Sequence, residues 1–220
     1  MLTMLRWDAP FHENLLLLLA FALALLCAII PHEVAHGWAA YKMGDPSAKI
    51  AGRLSFNPKR HIDPLGLLCF VVMGIGWAKP VPVNPFNYKN FRRGNFWVSI
   101  AGVTVNLIIG LVASLLMYIV WRFGNLDALG IYWLFMLFFF VTVINITLML
   151  FNLLPIFPLD GYNVLVSFTK PNNRFMMWNR HYSMFILLAV LMTLMFTGAL
   201  AIVRDFIVYD VFIRFWGLMF

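Results

Sequence analysis

Long apolar runs separated by short polar stretches dominate the pattern of the chain. Five apolar segments stand out, at residues 14–30, 64–78, 96–121, 128–152 and 182–203. A membrane-spanning helix needs about 20 predominantly apolar residues. The first, third, fourth and fifth segments therefore predict transmembrane helices, and the first continues as an amphipathic stretch to Met43.

The second apolar segment is different, because its 15 residues are few for a crossing and include Gly66, Gly74 and Gly76. Irregular backbone at membrane depth is tolerated only inside protein or along a water-filled cavity. We therefore expect a re-entrant or buried piece at 64–78. The predicted fold class is an all-α polytopic membrane protein with about four transmembrane helices, one such short segment, and short extended segments in the cytoplasmic loops.

Composition supports the membrane assignment. The 220 residues are 63% hydrophobic and 11% charged, with a mean hydropathy of +0.86, whereas a soluble domain carries about 25% charged residues. Too little polar surface is available to cover a soluble globule of this composition. A soluble enzyme and a disordered segment are excluded, and Cys27 and Cys69 lie in apolar runs, which excludes a secreted disulfide scaffold.

The basic residues predict the orientation in the bilayer. The chain has 16 Lys and Arg against 9 Asp and Glu, a net charge of +7. Twelve basic residues lie between the first and third segments or between the fourth and fifth: Lys42, Lys49, Arg53, Lys59, Arg60, Lys79, Lys89, Arg92, Arg93, Lys170, Arg174 and Arg180. If segment 64–78 does not cross, all of them face one side, and the positive-inside rule makes that side cytoplasmic with both termini outside. The charge is then a topology signal, and we expect a lipid bilayer and no nucleic acid as partner.

The sequence His32-Glu33-Val34-Ala35-His36 ends the first apolar run. Residues i and i+4 share one face of a helix, so both imidazoles can bind one ion while Glu33 lies beside it. This is the HExxH arrangement for zinc, with the Glu as general base. Ionisable groups in an apolar span are costly and usually functional. The alternative is that the three side chains merely pair at the membrane interface.

A catalytic zinc usually takes three protein ligands and a water. The only other Glu is Glu13, and the position of a third metzincin His is occupied by Lys42. Asp160 is the best remaining candidate, because two prolines fix the backbone of the run 152–161 just past the fourth span. Two crossings by the third and fourth segments would return it to the side of His36. The alternative is that Asp160 caps the next helix.

These motifs together resemble the site-2 protease family of intramembrane zinc metalloproteases, in its compact form without a PDZ domain. The resemblance covers residues 29–161 in the family's order. The residues that carry it are His32-Glu33-Val34-Ala35-His36-Gly37-Trp38-Ala39-Ala40, Gly44-Asp45, Gly76-Trp77-Ala78-Lys79-Pro80-Val81-Pro82-Val83, Ala101-Gly102 with Asn106, and the run from Asn152 to Gly161.

The resemblance implies one zinc ion held by His32, His36 and Asp160, with Glu33 activating the water. It implies regulated intramembrane proteolysis, in which a transmembrane-helix substrate is cut within or near the cytoplasmic side of the bilayer. We expect one integral-membrane protease domain over 1–220, with a catalytic core at about 14–168 and a C-terminal span and interfacial tail at about 181–220. We also expect a multi-pass protein of a prokaryotic cell membrane. A homo-oligomer, and a non-catalytic zinc-binding membrane scaffold, stay open as alternatives.

Four further features have two readings each. Asn106 and Asn152 are candidates to line the cleft or to polarise the scissile carbonyl. The chain departs from the family at Val103, where members commonly carry Pro. Asn106 could equally form an interhelical hydrogen bond. The proline-rich stretch 79–87 is either an extended edge for an unwound substrate or a plain loop. His61 is either catalytic or packed in its loop. The aromatic tail 204–220 is either an interfacial helix or a contact surface.

Overall fold

The structure of the protein is a computed structural model that describes residues 10–66, 78–170, 173–199, 202 and 205–219. Most of these residues are helical. The helices are α1 (Phe11–Met43), α2 (Ser47–Ile50), α3 (Phe91–Phe123), α4 (Leu129–Asn152), α5 (Asp160–Phe168), α6 (Arg174–Thr197), a π-helical stretch (Phe206–Ile213) and α7 (Arg214–Met219). Short 3-10 turns lie at Pro58–Arg60 and Pro85–Asn87.

Three helices within the described residues are long and apolar enough to cross a membrane, and they are α1, α3 and α4. This confirms the prediction of an all-α polytopic membrane protein. α1 and α3 have 33 residues each, which makes each helix about 50 Å long at 1.5 Å per residue. The apolar core of a bilayer is only about 30 Å thick. Both helices therefore extend well beyond it, and the residues after His36 continue α1 towards the polar loops.

The fifth apolar segment corresponds to α6, and its bounds differ from the prediction of 182–203. α6 begins at Arg174 because the side chain of Asn173 accepts hydrogen bonds from the N–H groups of Phe175 and Met176. It ends at Thr197 because Gly198 adopts a left-handed conformation with φ 64°. α6 is not among the three span-like helices of the described residues, so the expected number of about four is three in this part of the chain.

The three long helices pack around a shared apolar core. α1 runs parallel to α4, since Trp133 Nε1 donates to the carbonyl of Leu16 at 2.7 Å and Phe21 stacks edge-on against Phe140. α3 runs antiparallel to both. The buried core residues are Leu17, Ala20, Ala24, Ala113, Phe140 and Val141. Small alanines at helical spacing let the helices approach closely, and the parallel arrangement brings the C-terminal ends of α1 and α4 to the same end of the bundle.

The polar loops lie at that same end. Residues 67–77 lie outside the described residues, and with them most of the predicted re-entrant segment 64–78. Its flanks are described: Ile62 forms an isolated antiparallel bridge with Ala78, and the N–H of Lys79 donates to the carbonyl of His61 at 2.8 Å. The described residues contain no β-strand, only this isolated bridge, and residues 79–84 after Ala78 lie outside any helix or strand.

Candidate active site

His32 and His36 lie one turn apart on α1, and their Nε2 atoms are 3.0 Å from each other. Asp160, the first residue of α5, brings its Oδ2 to 3.5 Å from Nε2 of His32 and 3.3 Å from Nε2 of His36. The packing of the helices thus brings Asp160, which is far away in the sequence, to the two histidines of α1.

This donor triangle has the dimensions of a zinc site. Ligands at about 2.0–2.1 Å around a tetrahedral zinc are separated from one another by about 3.3 Å, which the three observed separations match closely. Oδ2 of Asp160 is buried and has no hydrogen-bond partner, a costly state for a carboxylate unless a cation compensates it. His32, His36 and Asp160 are also the group of side chains in the described residues that could hold a metal ion.

Hydrogen bonds to the other ring nitrogens fix the orientation of both imidazoles. Nδ1 of His36 lies 2.7 Å from the carbonyl oxygen of Val98, and Nδ1 of His32 lies 3.1 Å from Oδ1 of Asn106. Both partners are acceptors, so each Nδ1 carries the proton and donates it. The lone pair of each Nε2 then points towards the shared centre, as in histidines that bind a metal through Nε2.

A glycine on α3 makes this approach possible. Val98, Gly102 and Asn106 follow one another at four-residue intervals and so share one face of α3. A Cβ atom on Gly102 would collide with Nε2 of His36 and would lie 2.6 Å from Cε1 of His32. The absence of a side chain at this position therefore lets both imidazoles pack directly on the backbone of α3.

The turn between α4 and α5 presents Asp160 to the histidines. A Cβ atom on Gly161 would collide with the backbone of Leu153, so the chain folds back on itself only with glycine at this position. Nδ2 of Asn95 on α3 donates to the carbonyl of Asn163 at 2.6 Å and to Oγ of Ser167 at 3.0 Å. These contacts hold α5 against α3, and with it the carboxylate of Asp160.

Asn179 on α6 supports the same turn from the other side. Its Oδ1 accepts from the N–H of Phe157 at 3.1 Å, and its Nδ2 donates to the carbonyl of Pro155 at 2.7 Å. The side chain is almost completely buried, with 3% exposed. No sequence pattern marks Asn179 as a site residue, because it stands in a polar stretch without a motif and its partners lie in another loop.

Glu33 lies beside the donor triangle and not within it. Its Oε2 accepts a hydrogen bond from the backbone N–H of Val81 at 2.9 Å. Glu33 and Val81 line a cavity of about 270 Å³ with His32, His36 and Asp160. The cavity is bounded by α1, by the proline-rich stretch 79–87 with the adjoining Tyr88, by α3, by the end of α4 and by the start of α5. A carboxylate next to a metal centre and facing an open cavity can accept a proton from water there.

The proline-rich stretch is anchored by two buried charged side chains, Asp45 and Arg53. Asp45 accepts hydrogen bonds from the N–H of Asn84 and from Nδ2 of Asn87, and Arg53 donates to the carbonyls of Lys79 and Pro80. Both charged side chains are buried.

Burial also affects two ionisable groups in this region. Burial by itself would raise the pKa of the Asp45 carboxyl, but the hydrogen bonds that it accepts from Asn84, Ser47 and Asn87 outweigh burial and hold its pKa below the usual value. Burial, together with the nearby charge of Asp45, raises the pKa of Tyr88 to about 12. Asp45 is therefore ionised and Tyr88 neutral at physiological pH.

The two asparagine candidates occupy different positions. Asn106 is completely buried behind His32, and its Oδ1 makes the interhelical hydrogen bond described above, while its Nδ2 has no partner. Asn152 lines the cavity, and its Nδ2 donates to the carbonyl of Leu148 within α4 at 3.0 Å. Of these two residues, Asn152 is the one that faces the cavity.

His61 and the C-terminal tail lie outside the cavity lining. His61 is buried in its loop, where its Nε2 lies 2.6 Å from the carbonyl oxygen of Ser55. In the tail, Phe212 is buried and Nε1 of Trp216 donates to Oγ of Ser114 at 3.0 Å. Since Ser114 is a buried residue of α3, the tail packs against a membrane-spanning helix.

Curated proteins that are similar to this chain carry the name of zinc metalloproteases. One is "Putative zinc metalloprotease YwhC" of Bacillus subtilis, which is 37% identical over 193 residues that cover 84% of each chain. The proteins named "Putative zinc metalloprotease Rip2" from Mycobacterium tuberculosis and Mycolicibacterium smegmatis are 31% and 29% identical over 156 and 154 residues. These two matches cover 68% of this chain and 57% of each relative.

The other comparisons found no match: no protein-family model matches the chain, and no solved structure matches it significantly. The relationship to YwhC extends over most of both chains, and the HExxH helix, Asp160 and the membrane-spanning helices all lie within one bundle. The chain belongs to the site-2 protease family of intramembrane zinc metalloproteases.

Proposed function

We propose that the chain cleaves membrane-protein substrates with one zinc ion held by His32, His36 and Asp160 and with Glu33 as general base. The observation that carries this proposal is the donor triangle, whose atoms lie 3.0, 3.3 and 3.5 Å apart. The orphaned Oδ2 of Asp160 supports the same assignment. The third ligand and the HExxH pair then come from helices that pack against a common partner, α3.

When bound, zinc supplies a Lewis acid that lowers the pKa of a coordinated water towards about 7 and polarises a carbonyl oxygen. Glu33 accepts the proton of the attacking water and returns it to the nitrogen of the leaving amine. Its second oxygen is held by the N–H of Val81, so one carboxylate oxygen is oriented while the other is free for the proton. With zinc bound through Nε2, both imidazoles would be neutral, and their Nδ1–H groups would donate to Asn106 and to the carbonyl of Val98 on α3.

Asn152 is a better candidate than Asn106 for the residue that polarises the scissile carbonyl. It lines the cavity and one of its amide hydrogens is occupied within α4, which leaves a second amide hydrogen to donate to a developing oxyanion. Asn106 acts on His32 from behind and orients that ligand.

The substrate is proposed to be a transmembrane helix that unwinds locally, because helical carbonyls are otherwise hydrogen-bonded. The stretch 79–87 borders the cavity, its residues 79–84 lie outside any helix or strand, and the N–H of Val83 has no partner among the described residues. An extended substrate could add to such an edge. This favours the reading of 79–87 as a substrate edge over a plain loop.

We propose the cytoplasmic side of a prokaryotic cell membrane for the site. The basic loops follow α1 and precede α3, and the flanks of 64–78 meet at the bridge between Ile62 and Ala78. Both flanks therefore lie at the end of the bundle that carries the donor triangle. Positive-inside orientation makes that end cytoplasmic.

The test is the variant Glu33→Gln, with cleavage and zinc content measured separately. Wild-type and variant chains are expressed in the native membrane, and full-length membrane proteins and their fragments are quantified. The variant is expected to accumulate uncut single-span proteins while it keeps its zinc. A non-catalytic zinc-binding scaffold would give identical fragment patterns in both strains, and that result would refute the role of Glu33.

A further inference from the structure

The segment between Pro80 and Pro85 has few backbone donors. Prolines at 80, 82 and 85 carry no N–H, so the amides of this segment belong to Val81, Val83 and Asn84. The N–H of Val81 donates to Oε2 of Glu33 at 2.9 Å, and the N–H of Asn84 donates to Oδ2 of Asp45 at 2.6 Å. Two of the three amides thus donate to carboxylates, one to Glu33 in the site and one to Asp45 outside it.

Asp45 is built as an anchor. The side chain is completely buried, with 0% exposed. Its Oδ1 accepts from Oγ of Ser47 at 2.6 Å, from the N–H of Ser47 at 3.1 Å and from Nδ2 of Asn87 at 2.8 Å. Hydrogen bonds to an ionised carboxylate are roughly twice as strong as neutral ones. The carboxylate therefore fixes the 84–87 end of the segment to the turn that follows α1.

Arg53 holds the N-terminal end of the segment, at Lys79 and Pro80. Its guanidinium is buried and Nη2 donates to the carbonyls of Lys79 and Pro80, the latter at 3.2 Å. The segment is therefore clamped at residues 79–80 and again at 84–87. Val81 lies between the two clamps, with 7% exposed, and the fixed φ angles of the prolines on either side limit its freedom to move independently.

We propose that Asp45 and Arg53 are positioning residues that act through this segment on Glu33. By holding the segment at both ends, they keep the N–H of Val81 on Oε2 of Glu33 and so orient the carboxylate for proton transfer. The inference rests on the proposed role of Glu33 as general base. Asp45 and Arg53 lie outside the donor triangle, so their loss should leave the zinc ligands in place.

The test is hydrogen exchange at single amides, measured by mass spectrometry with residue-level fragmentation on the full chain in detergent. In Asp45→Ala, the N–H of Asn84 loses its hydrogen-bond acceptor directly, while the acceptor of the Val81 N–H, Glu33, is still present. If the segment transmits the loss, Val81 also exchanges faster, by about tenfold for the weakening of one hydrogen bond to a charged group. Asp127→Ala removes an exposed carboxylate from the α3–α4 loop and is the matched control, with no change expected at either amide.

The proposal would be overturned if the amide of Asn84 exchanged faster while the exchange rate of the Val81 amide stayed at the wild-type value. Should Asp45→Ala fail to fold, Asn87→Ala replaces it, since Asn87 is exposed and contributes one donor to the anchor. That variant is expected to raise exchange at Val81 by about threefold, in keeping with the loss of one donor, and unchanged exchange at Val81 would contradict the coupling.

Turnover of a reconstituted single-span test protein is the second readout. Asp45→Ala and Arg53→Lys should lower kcat by about tenfold, because the general base is misoriented, with zinc content close to wild type. Unchanged kcat in a variant whose Val81 amide is deprotected would also overturn the proposal. If the wild type itself cleaves no test protein, the proposed function fails, whereas the exchange result still decides whether the segment couples Asp45 to Val81.

Discussion

Oδ1 of Asn106 lies 3.1 Å from Nδ1 of His32, a hydrogen bond between side chains 74 positions apart on antiparallel helices. Asn106 is completely buried, so its amide acts on the histidine and not on a bound substrate. It fixes the tautomer that leaves Nε2 of His32 free for a metal.

Asn106→Leu should weaken zinc binding. The variant removes the acceptor for Nδ1–H of His32, and losing such an outer partner typically costs about 10–100-fold in metal affinity. Competition with a chromogenic zinc chelator measures the affinity. Asn125→Leu, at an exposed site in the α3–α4 loop, is the control, and equal zinc affinity in both variants would contradict the role of Asn106.

Gly102→Ala should disrupt the centre by steric conflict. The added methyl group meets the rings of His32 and His36, and overpacking of this kind costs about 1–3 kcal/mol. We expect a lower Tm and less zinc per chain. Gly130→Ala is the matched control on α4, because nothing lies within 4 Å of a Cβ atom there. Wild-type zinc content in Gly102→Ala would show that the helices can separate without loss of the site.

Asn179→Ala should loosen the turn that carries Asp160. It leaves the N–H of Phe157 and the carbonyl of Pro155 without their partner, at about 1–3 kcal/mol for each buried group left unsatisfied. Zinc affinity and thermal stability should fall together. Thr193→Ala, at an exposed position of the same helix, should change neither, and a zinc affinity in Asn179→Ala equal to that of Thr193→Ala would rule out the supporting role.

The contribution of Asp45 to the stability of the fold should decrease as the pH falls. The pKa of its carboxyl lies below the model-peptide value of 3.8 in the folded state, so its stabilising contribution is complete above that value and is lost as the pH falls through the lower, folded pKa. The difference in Tm between wild type and Asp45→Asn should thus be constant down to about pH 4.5 and shrink below about pH 4. A difference that grows on acidification would contradict this account, and Asp127→Asn serves as control.

The sequence could predict the main features of the fold because they depend on local patterns. Apolar length defines α1, α3 and α4, and the four-residue spacing of His32 and His36 fixes their common face once the helix is known. Asp160 could be selected as a candidate because ionisable groups are scarce and an even number of crossings returns it to the histidines. The apolar segment 182–203 differs from α6 because apolarity does not mark helix ends, whereas the capping residues Asn173 and Gly198 do.

The supporting contacts of the site could not be predicted in this way. Asn179 and Asp45 hydrogen-bond to backbone groups of loops distant in sequence, and no spacing rule connects such partners. Asn106 was recognised as a polar residue in an apolar helix, but the choice between cleft and interhelical bond depends on how α3 rotates against α1. That rotation is set by Gly102 packing against the histidine rings, which becomes apparent only in three dimensions.

The most direct test of the zinc centre is the metal content of Asp160→Ala, purified in detergent and measured by elemental analysis beside wild type and Asp127→Ala. The account predicts about one zinc per chain for the wild type and the control, as expected for a single site with three protein ligands, and a clear loss of zinc in Asp160→Ala. Full zinc occupancy in Asp160→Ala would contradict the assignment of His32, His36 and Asp160 as the metal ligands.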